Sequence, residues 1–336
     1  RPAGYSEYYT NIESLRNQIA SELDVPYTDE LILGMTQRIT QDFSISFNGM
    51  YKIQDQMLAS RNLNIPKNSE WWVPYTVTDP GFDMTLGTGD EKSLTVFMLR
   101  SDAPSNFIQK DNIDEAFRKY VGFNMLFNKR MSSGWMLQGS IALSESTSNI
   151  RWGYLTYAGW ENYWDPNIDI NRTGRPENDR PLIIKLMSTV QLPLGFNLSG
   201  YFRYLSGKRF ERHLTVYFPK TLNGYSPRNA SVSINAEAEG SRAFQASSIM
   251  DLRLEKSFNF QGLHLGVWAE VFNLFGHWNF QWNQSQSSNA YYHTGPARLT
   301  GGYIYANGSV SRYPRWGEPN AVYGTREFAF GARIRF

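Results

Sequence analysis

The sequence runs to its last residue through Arg326-Glu327-Phe328-Ala329-Phe330-Gly331-Ala332-Arg333-Ile334-Arg335-Phe336, where apolar residues recur at every second position. Neighbouring side chains of a β-strand point to opposite faces, so one face here carries Phe328, Phe330, Ala332, Ile334 and Phe336. The other face carries Arg333 and Arg335, which a packed core could not accept but a water-filled lumen could. The stretch predicts a terminal strand between lipid and water; the alternative is a soluble strand that happens to be terminal.

The same alternation recurs along the chain and predicts an all-β antiparallel fold. About nine segments carry it: 31–39, 43–54, 121–128, 135–144, 184–192, 196–204, 250–258, 263–271 and 328–336. Short turns near 40–42, 130–134, 192–195 and 259–262 alternate with long connections over 57–114, 148–180, 207–246 and 276–322. Outer-membrane barrels have short periplasmic turns and long extracellular loops, so this asymmetry predicts a transmembrane antiparallel β-barrel.

The composition of the 336 residues fits this interpretation. The net charge of +2 gives no preference for nucleic acid, so no nucleic-acid partner is expected. Cysteine is absent, which excludes disulfides and thiolate metal sites, and no apolar run is long enough for a transmembrane helix. Aromatic residues make up 15% of the chain, more than a globular core needs but typical of an interfacial girdle.

Residues 1–29 are expected to form an extracellular loop segment, and residues 30–336 the C-terminal part of the barrel. Ile12, Leu15, Ile19 and Leu23 recur at helical spacing and predict a short helix over about 10–23, which Pro26 would end. Within the first long connection, residues 94–99 are expected to extend as a strand.

Several stretches resemble one family. Residues 250–258 (MDLRLEKSF) and 269–275 (AEVFNLF) are similar to the penultimate hairpin of TonB-dependent outer-membrane receptors. Residues 79–83 (DPGFD), 165–167 (DPN) and 178–181 (NDRP) resemble the Oar-like subgroup, which carries a carboxypeptidase-regulatory-like domain. The resemblance covers about residues 24–336 and implies a plugged barrel of about 22 strands that imports a scarce ligand with inner-membrane energy.

The resemblance also implies partners. These are outer-membrane lipid, the TonB complex acting through a plug, and the barrel-assembly machinery, for which Phe328, Phe330, Ile334 and Phe336 would form the assembly signal. About nine strands cannot make a barrel of about 22, so we expect the C-terminal part of a receptor. The upstream strands and the plug would then come from the same gene or from a second polypeptide, and strands 31–39 and 328–336 would not pair with each other.

One loop has the pattern of a calcium site. Asp165, Asn167, Asp169 and Asn171 place carboxylate and amide oxygens at every second position, as calcium loops do, although the glycine and distal glutamate of a full EF-hand are not in register. Asp79, Asp83 and Asp90 form a looser cluster. An ordinary Asp/Asn/Gly turn is the alternative for both, and no other cofactor is expected.

No constellation of residues points to an enzyme. The histidines (His213, His264, His277, His293) show no metal spacing, and neither a nucleophile elbow nor a phosphate loop is present. The carboxylates Glu145, Asp251, Glu255 and Glu270 are interpreted as charges of the lumenal wall. The tryptophans of the loops (Trp71, Trp72, Trp152, Trp160, Trp164) are expected to pack at loop bases or in the outer aromatic belt.

The sequence therefore predicts part of a TonB-dependent receptor in the bacterial cell outer membrane, which mediates energy-coupled uptake or export of a ligand. The alternative is a non-transporting outer-membrane barrel that acts as a scaffold or adhesin in a surface complex. The incomplete strand count and the long loops motivate this alternative.

Overall fold

A computed structural model describes residues 17–83, 85–150, 163–176, 178–276, 279–281, 299–312, 321–323 and 325–335. In chain order the strands are β1 (Asn17–Ile19), β2 (Tyr27–Arg38), β3 (Phe43–Asp55), β4 (Met57–Asn62), β5 (Trp72–Asp79), β6 (Lys92–Leu99), β7 (Ile108–Ile113), β8 (Arg118–Ser132), β9 (Trp135–Ser148), β10 (Leu182–Leu192), β11 (Phe196–Leu205), β12 (Arg209–Phe210), β13 (Arg212–Tyr217), β14 (Ser231–Asn235), β15 (Arg242–Ala243), β16 (Ser247–Phe260), β17 (Leu263–Phe272), β18 (Asn279–Gln281), β19 (Leu299–Ile304), β20 (Val310–Arg312), β21 (Ala321–Tyr323) and β22 (Glu327–Arg335). Single turns of 3-10 helix lie at Pro166–Asp169 and Pro193–Gly195. None of the helices in the described ranges is long and apolar enough to cross a membrane.

Nine strands form the main sheet, in the order β2-β3-β8-β9-β10-β11-β16-β17-β22. Every pair of neighbours in it is antiparallel. The all-β fold and the expected number of sheet strands are confirmed. β2 and β22 are the edges of this sheet and do not pair with each other. Because the count is odd, the two edge strands run in the same direction.

The register gives the main sheet one apolar and one polar face. Ala269 of β17 lies between Leu254 of β16 and Phe330 of β22, while its neighbour Glu270 lies between Arg253 and Ala329 on the other face. Directly paired residues share a face, so this pattern continues from strand to strand. The apolar face is exposed in this chain, and the predicted faces of the residues on these strands are confirmed except for Glu145 of β9.

Short turns connect the sheet strands at one end, and long connections join them at the other. The short-turn end has turns at 39–42, 133–134, 193–195 and 261–262. At this end Lys129 Nζ lies 2.8 Å from Asp42 Oδ2 and 4.3 Å from the Trp135 ring centre. Hydrogen bonds from Lys129, then Ser132, hold the pKa of Asp42 well below its usual range. The contact ties two neighbouring turns together.

The long connections differ from the structureless loops that their polarity suggested. They build a lobe of small sheets at the loop end: β5-β6, β1-β7-β4 and β14-β13-β19-β20. The main core of the lobe consists of Val73, Val77, Val96, Met98, Leu214, Val216, Phe218, Ile234, Ala236 and Ile304. Only the strand at 94–99 was expected, and β6 confirms it. Local patterning could not reveal how these sheets are joined, because β1 pairs with β7 and β13 pairs with β19 from a different part of the chain.

Two sequence interpretations are wrong in the described residues. The helix over 10–23 is absent where it can be seen, because Asn17–Ile19 pairs in parallel with Ile108–Lys110 of β7; residues 10–16 lie outside the described ranges. Glu145 does not face the polar side. It pairs with Val121 and shares the apolar face at the loop end, since it stands two residues from Leu143.

Candidate functional site

The polar face of the main sheet carries paired charges. Arg253 on β16 donates to Glu255 at 2.6 Å and to Glu270 of β17 at 2.9 Å. Its guanidinium also lies 4.5 Å from the centre of the Trp268 ring. Across the sheet, Lys52 Nζ lies 2.8 Å from Glu30 Oε2. These half-exposed pairs suit a wall that faces water rather than a dry core.

Asn273 shows what the Val-Phe-Asn-Leu-Phe run does at the end of β17. It is buried and has a positive φ of 50°, a conformation that asparagine tolerates better than most residues. Its backbone N–H donates to Asp251 Oδ1 at 2.8 Å, and the backbone N–H of Leu274 donates to Met250 O at 2.7 Å. The run therefore turns the chain out of the sheet while keeping it bonded to β16.

The residues of the predicted assembly signal lie on the outer side of the edge strand. Phe328, Phe330 and Ile334 share the apolar face of β22 and are 66%, 79% and 55% exposed. Phe336 lies outside the described residues. The alternation of this strand is as predicted, and its role in assembly stays a prediction.

The segment 165–171 attaches one connection to β6. Asp165 accepts hydrogen bonds from both the backbone amide and the side-chain amide of Asn167, each at 2.9 Å. Asn167 in turn accepts from the Phe97 amide at 2.7 Å and donates to Phe97 O at 2.8 Å, so it continues the edge of β6 like a strand. Burial raises the pKa of Asp165. These oxygens already serve protein hydrogen bonds.

The other two predicted calcium ligands point to different partners. Asp169 Oδ2 lies 2.5 Å from Lys67 Nζ, and Asn171 Nδ2 donates to Asn235 O at 2.9 Å. Within the described ranges no three His, Cys, Asp or Glu side chains form a group that could hold a metal ion. The four predicted ligands are close in sequence, but their side chains contact different parts of the lobe.

The lobe contains a buried charge network that the sequence analysis missed. Arg212 donates to both oxygens of Asp79 at 2.8 and 2.7 Å, and the two side chains are only 2% and 4% exposed. Glu237 accepts from Arg212 at 3.3 Å and from Arg242 at 2.8 Å. Burial alone would raise the pKa of Glu237, but Arg242 and Arg212 outweigh it and the net shift is downward. Asp79, Glu237 and Arg242 also line a cleft of about 520 Å³.

A sequence signal for this network was present but weak. Arg212 and His213 begin an alternating strand, and a charged residue inside such a strand requires a buried partner. His213 is itself buried, with Nε2 2.8 Å from Glu211 Oε1, while His264 Nδ1 lies 2.7 Å from Asn259 Oδ1. His277 and His293 lie outside the described residues. The partner Asp79 stands on another connection and could not be identified locally.

The tryptophans of the loops are packed where the structure describes them. The Trp72 and Trp164 rings lie 5.9 Å apart in a small cluster with Ile65, and Trp71 packs against that cluster. Trp152 and Trp160 lie outside the described residues. Trp71, Trp72 and Trp164 thus pack against other residues of the loops, and their placement at loop bases or in an outer aromatic belt stays a prediction.

Comparisons with known proteins give only distant structural likenesses. No protein-family model matches the chain, and no curated protein matches it. Among solved structures it is similar to the outer membrane transporter YddB from Escherichia coli, with 14% identity and a TM-score of 0.39, over 78% of this chain and 31% of that one. It is also similar to the copper transporter OprC, with 9% identity and a TM-score of 0.39, over 94% of this chain and 33% of that one. The chain thus spans about a third of the length of each, and likenesses of this size carry no conclusion about function.

Proposed function

We propose that the chain forms nine strands of the wall of an outer-membrane β-barrel that works as a TonB-dependent transporter of the Oar-like kind. The observation that carries this proposal is the two-faced sheet, which is apolar and exposed on one side and charged and paired on the other. An apolar face of this extent suits lipid, and a polar face with ion pairs suits a hydrated lumen. The short turns would then lie in the periplasm and the lobe outside the cell.

The two edges of the sheet support a barrel completed by other strands. In lipid each unpaired backbone group costs several kcal/mol, so a spanning sheet must close. β2 and β22 run in the same direction and cannot close antiparallel to each other. An odd number of further strands must therefore separate them, from another part of the same protein or from a second polypeptide. The same source would supply the plug.

Energy coupling and the assembly signal rest on the resemblance of residues 250–258 and 269–275 to TonB-dependent receptors. In this proposal the exposed apolar face of β22 is recognised by the barrel-assembly machinery, and the plug meets the TonB complex. The lobe would receive the ligand at the cell surface. No enzymatic role is proposed.

A comparison of growth media tests the transport function. A strain that lacks the gene is grown beside its parent, each with and without a protonophore, and the solutes that each depletes are measured by mass spectrometry. Transport predicts a solute that the parent depletes, whereas neither the deletion strain nor the protonophore-treated parent does. Unchanged depletion with loss of another protein from the cell surface would instead identify the scaffold or adhesin.

Calcium in the segment 165–171 is a separate proposal. Loss of a calcium ligand should abolish any stabilisation of the lobe by calcium, whereas the amide of an asparagine can still accept the bonds from Asn167. We therefore compare the protease resistance of the parent protein and Asp165→Asn with calcium and with a chelator. A calcium site predicts protection in the parent only; equal resistance in all four samples would reject it.

A further inference from the structure

Three cations lie at the loop end of the β10-β11 hairpin. Lys185 of β10 and Arg203 of β11 are directly paired in the register and share the polar face. Arg180 precedes β10, and its Nη1 donates to Ser206 O just after β11. We call Arg180, Lys185 and Arg203 the hairpin cations. Burial and, to a lesser extent, the charge of Arg203 lower the pKa of Arg180.

The hairpin cations have no acidic partner among the described residues. On the flanking strands, Ser140 of β9 stands opposite Lys185 and Ile249 of β16 stands opposite Arg203. The acid nearest to them on this face of β16 is Asp251, which follows Ile249 on the same face and pairs with Tyr201. Asp251 accepts a hydrogen bond from the backbone N–H of Asn273. Elsewhere on the same face, Arg253 and Lys52 each contact glutamates.

This arrangement is unfavourable without an additional negative charge. Like charges directly opposite each other destabilise a sheet. In addition, Nε of Arg203 is buried without a hydrogen-bond acceptor in the described part of the chain. A buried donor without an acceptor is costly, and native proteins normally provide one. Both observations point to an anion that comes from outside the described chain.

We propose that the hairpin cations bind a small polyanion that carries carboxylate or phosphate groups. A guanidinium group can donate two parallel hydrogen bonds to two oxygens of a carboxylate or a phosphate, and the ammonium adds a point charge. Tyr201 and Met187 pair directly below them on the same face and are 36% and 44% exposed, so they offer apolar contact to the body of the ligand. The proposal deepens the transport function and rests on it for placing this face in a lumen.

Binding to the purified protein, with the strands that complete it, tests the site independently of transport. Citrate and inorganic pyrophosphate are titrated separately at low salt by calorimetry, so that the two arms distinguish carboxylate from phosphate. Arg203→Gln should weaken the affinity for the anion by about tenfold, because one charge-assisted hydrogen-bonded pair is lost. The control Lys52→Gln removes a cation of the same face that Glu30 already neutralises, and it should leave binding unchanged.

A second measurement needs no substitution at the site. An impermeant amine-acylating reagent labels the lysines of the unmodified protein with and without each anion, and mass spectrometry compares Lys185 with Lys52. Protection of Lys185 alone supports the proposal. Equal labelling of Lys185 in both conditions, or equal weakening by the two glutamine variants, would overturn it and leave the sidedness and transport experiments unaffected.

Discussion

At the scale of single residues, the buried pair of Arg212 and Asp79 matters most for the lobe. Replacing Asp79 by Asn leaves a buried guanidinium short of its charged partner, and breaking such pairs costs about 3–5 kcal/mol. We expect Asp79→Asn to increase hydrogen exchange throughout β5, β6 and β13. The control is Asp102→Asn, which breaks a contact of 2.6 Å to Arg100 but is 58% exposed. Equal exchange in the two variants would contradict the role of burial.

Glu237 gives the lobe a dependence on pH. Its pKa in the folded chain lies below the ordinary value of 4.5, so it adds stability above that value and loses it as the pH falls through the lowered pKa. We expect the protection factors of the lobe amides in the parent protein, which correct for the slower intrinsic exchange at low pH, to fall as the pH drops below about 4.5. Glu237→Gln should have lower protection factors already at neutral pH, and these should change less on acidification. A variant that keeps the full dependence on pH would assign the effect to another group.

At the scale of elements, the two faces of one strand provide the clearest test. Leu198 of β11 pairs with Leu254 on the apolar face, and Asn197 pairs with Glu255 on the polar face. Leu198→Arg places a charge on the lipid side, which should destabilise the barrel by about 2–4 kcal/mol at mid-membrane depth. Asn197→Arg should destabilise the barrel far less, because water can solvate the new guanidinium group and Glu255 can pair with it. The folded fraction in urea measures both, and equal tolerance would argue for a soluble sheet.

The elements also show what the sequence could and could not predict. Alternation is a local signal, so the nine strands of the main sheet, their faces and their short turns followed from it. The lobe did not, since β13 pairs with β19 from another connection and Asp79 meets Arg212 across 133 positions. The segment from Asp165 to Asn171 looked like a calcium-binding loop, because the sequence shows which residues recur at every second position but not where their side chains point. Lys185 and Arg203 stand at equal distances in sequence from the turn at 193–195, and the register pairs them directly. Arg180 has no counterpart at the same distance, and its bond to Ser206 became visible only in the structure.

At the scale of the whole molecule, the alternation of short turns and long connections predicts sidedness. The chain has no cysteine, so a single introduced cysteine reports one position. Asn223→Cys, in the lobe, should react with an impermeant thiol reagent on intact cells. Ser133→Cys, in a short turn, should react only after the outer membrane is opened. The opposite result would invert the topology and reject the assignment of the lobe to the cell surface.

The parallel pairing of β13 with β19 also sets an order in time. Ile304 of β19 belongs to the same core as Val73 and Leu214, although these residues are made long before it during synthesis. The core therefore stays incomplete until the last long connection has been made, so the earlier connections must wait in an unfinished state. A cut introduced just before β19 after folding leaves this strand bound in the lobe, whereas truncation at the same point during synthesis removes it before the lobe has formed. The two chains should therefore differ in the resistance of the lobe to protease.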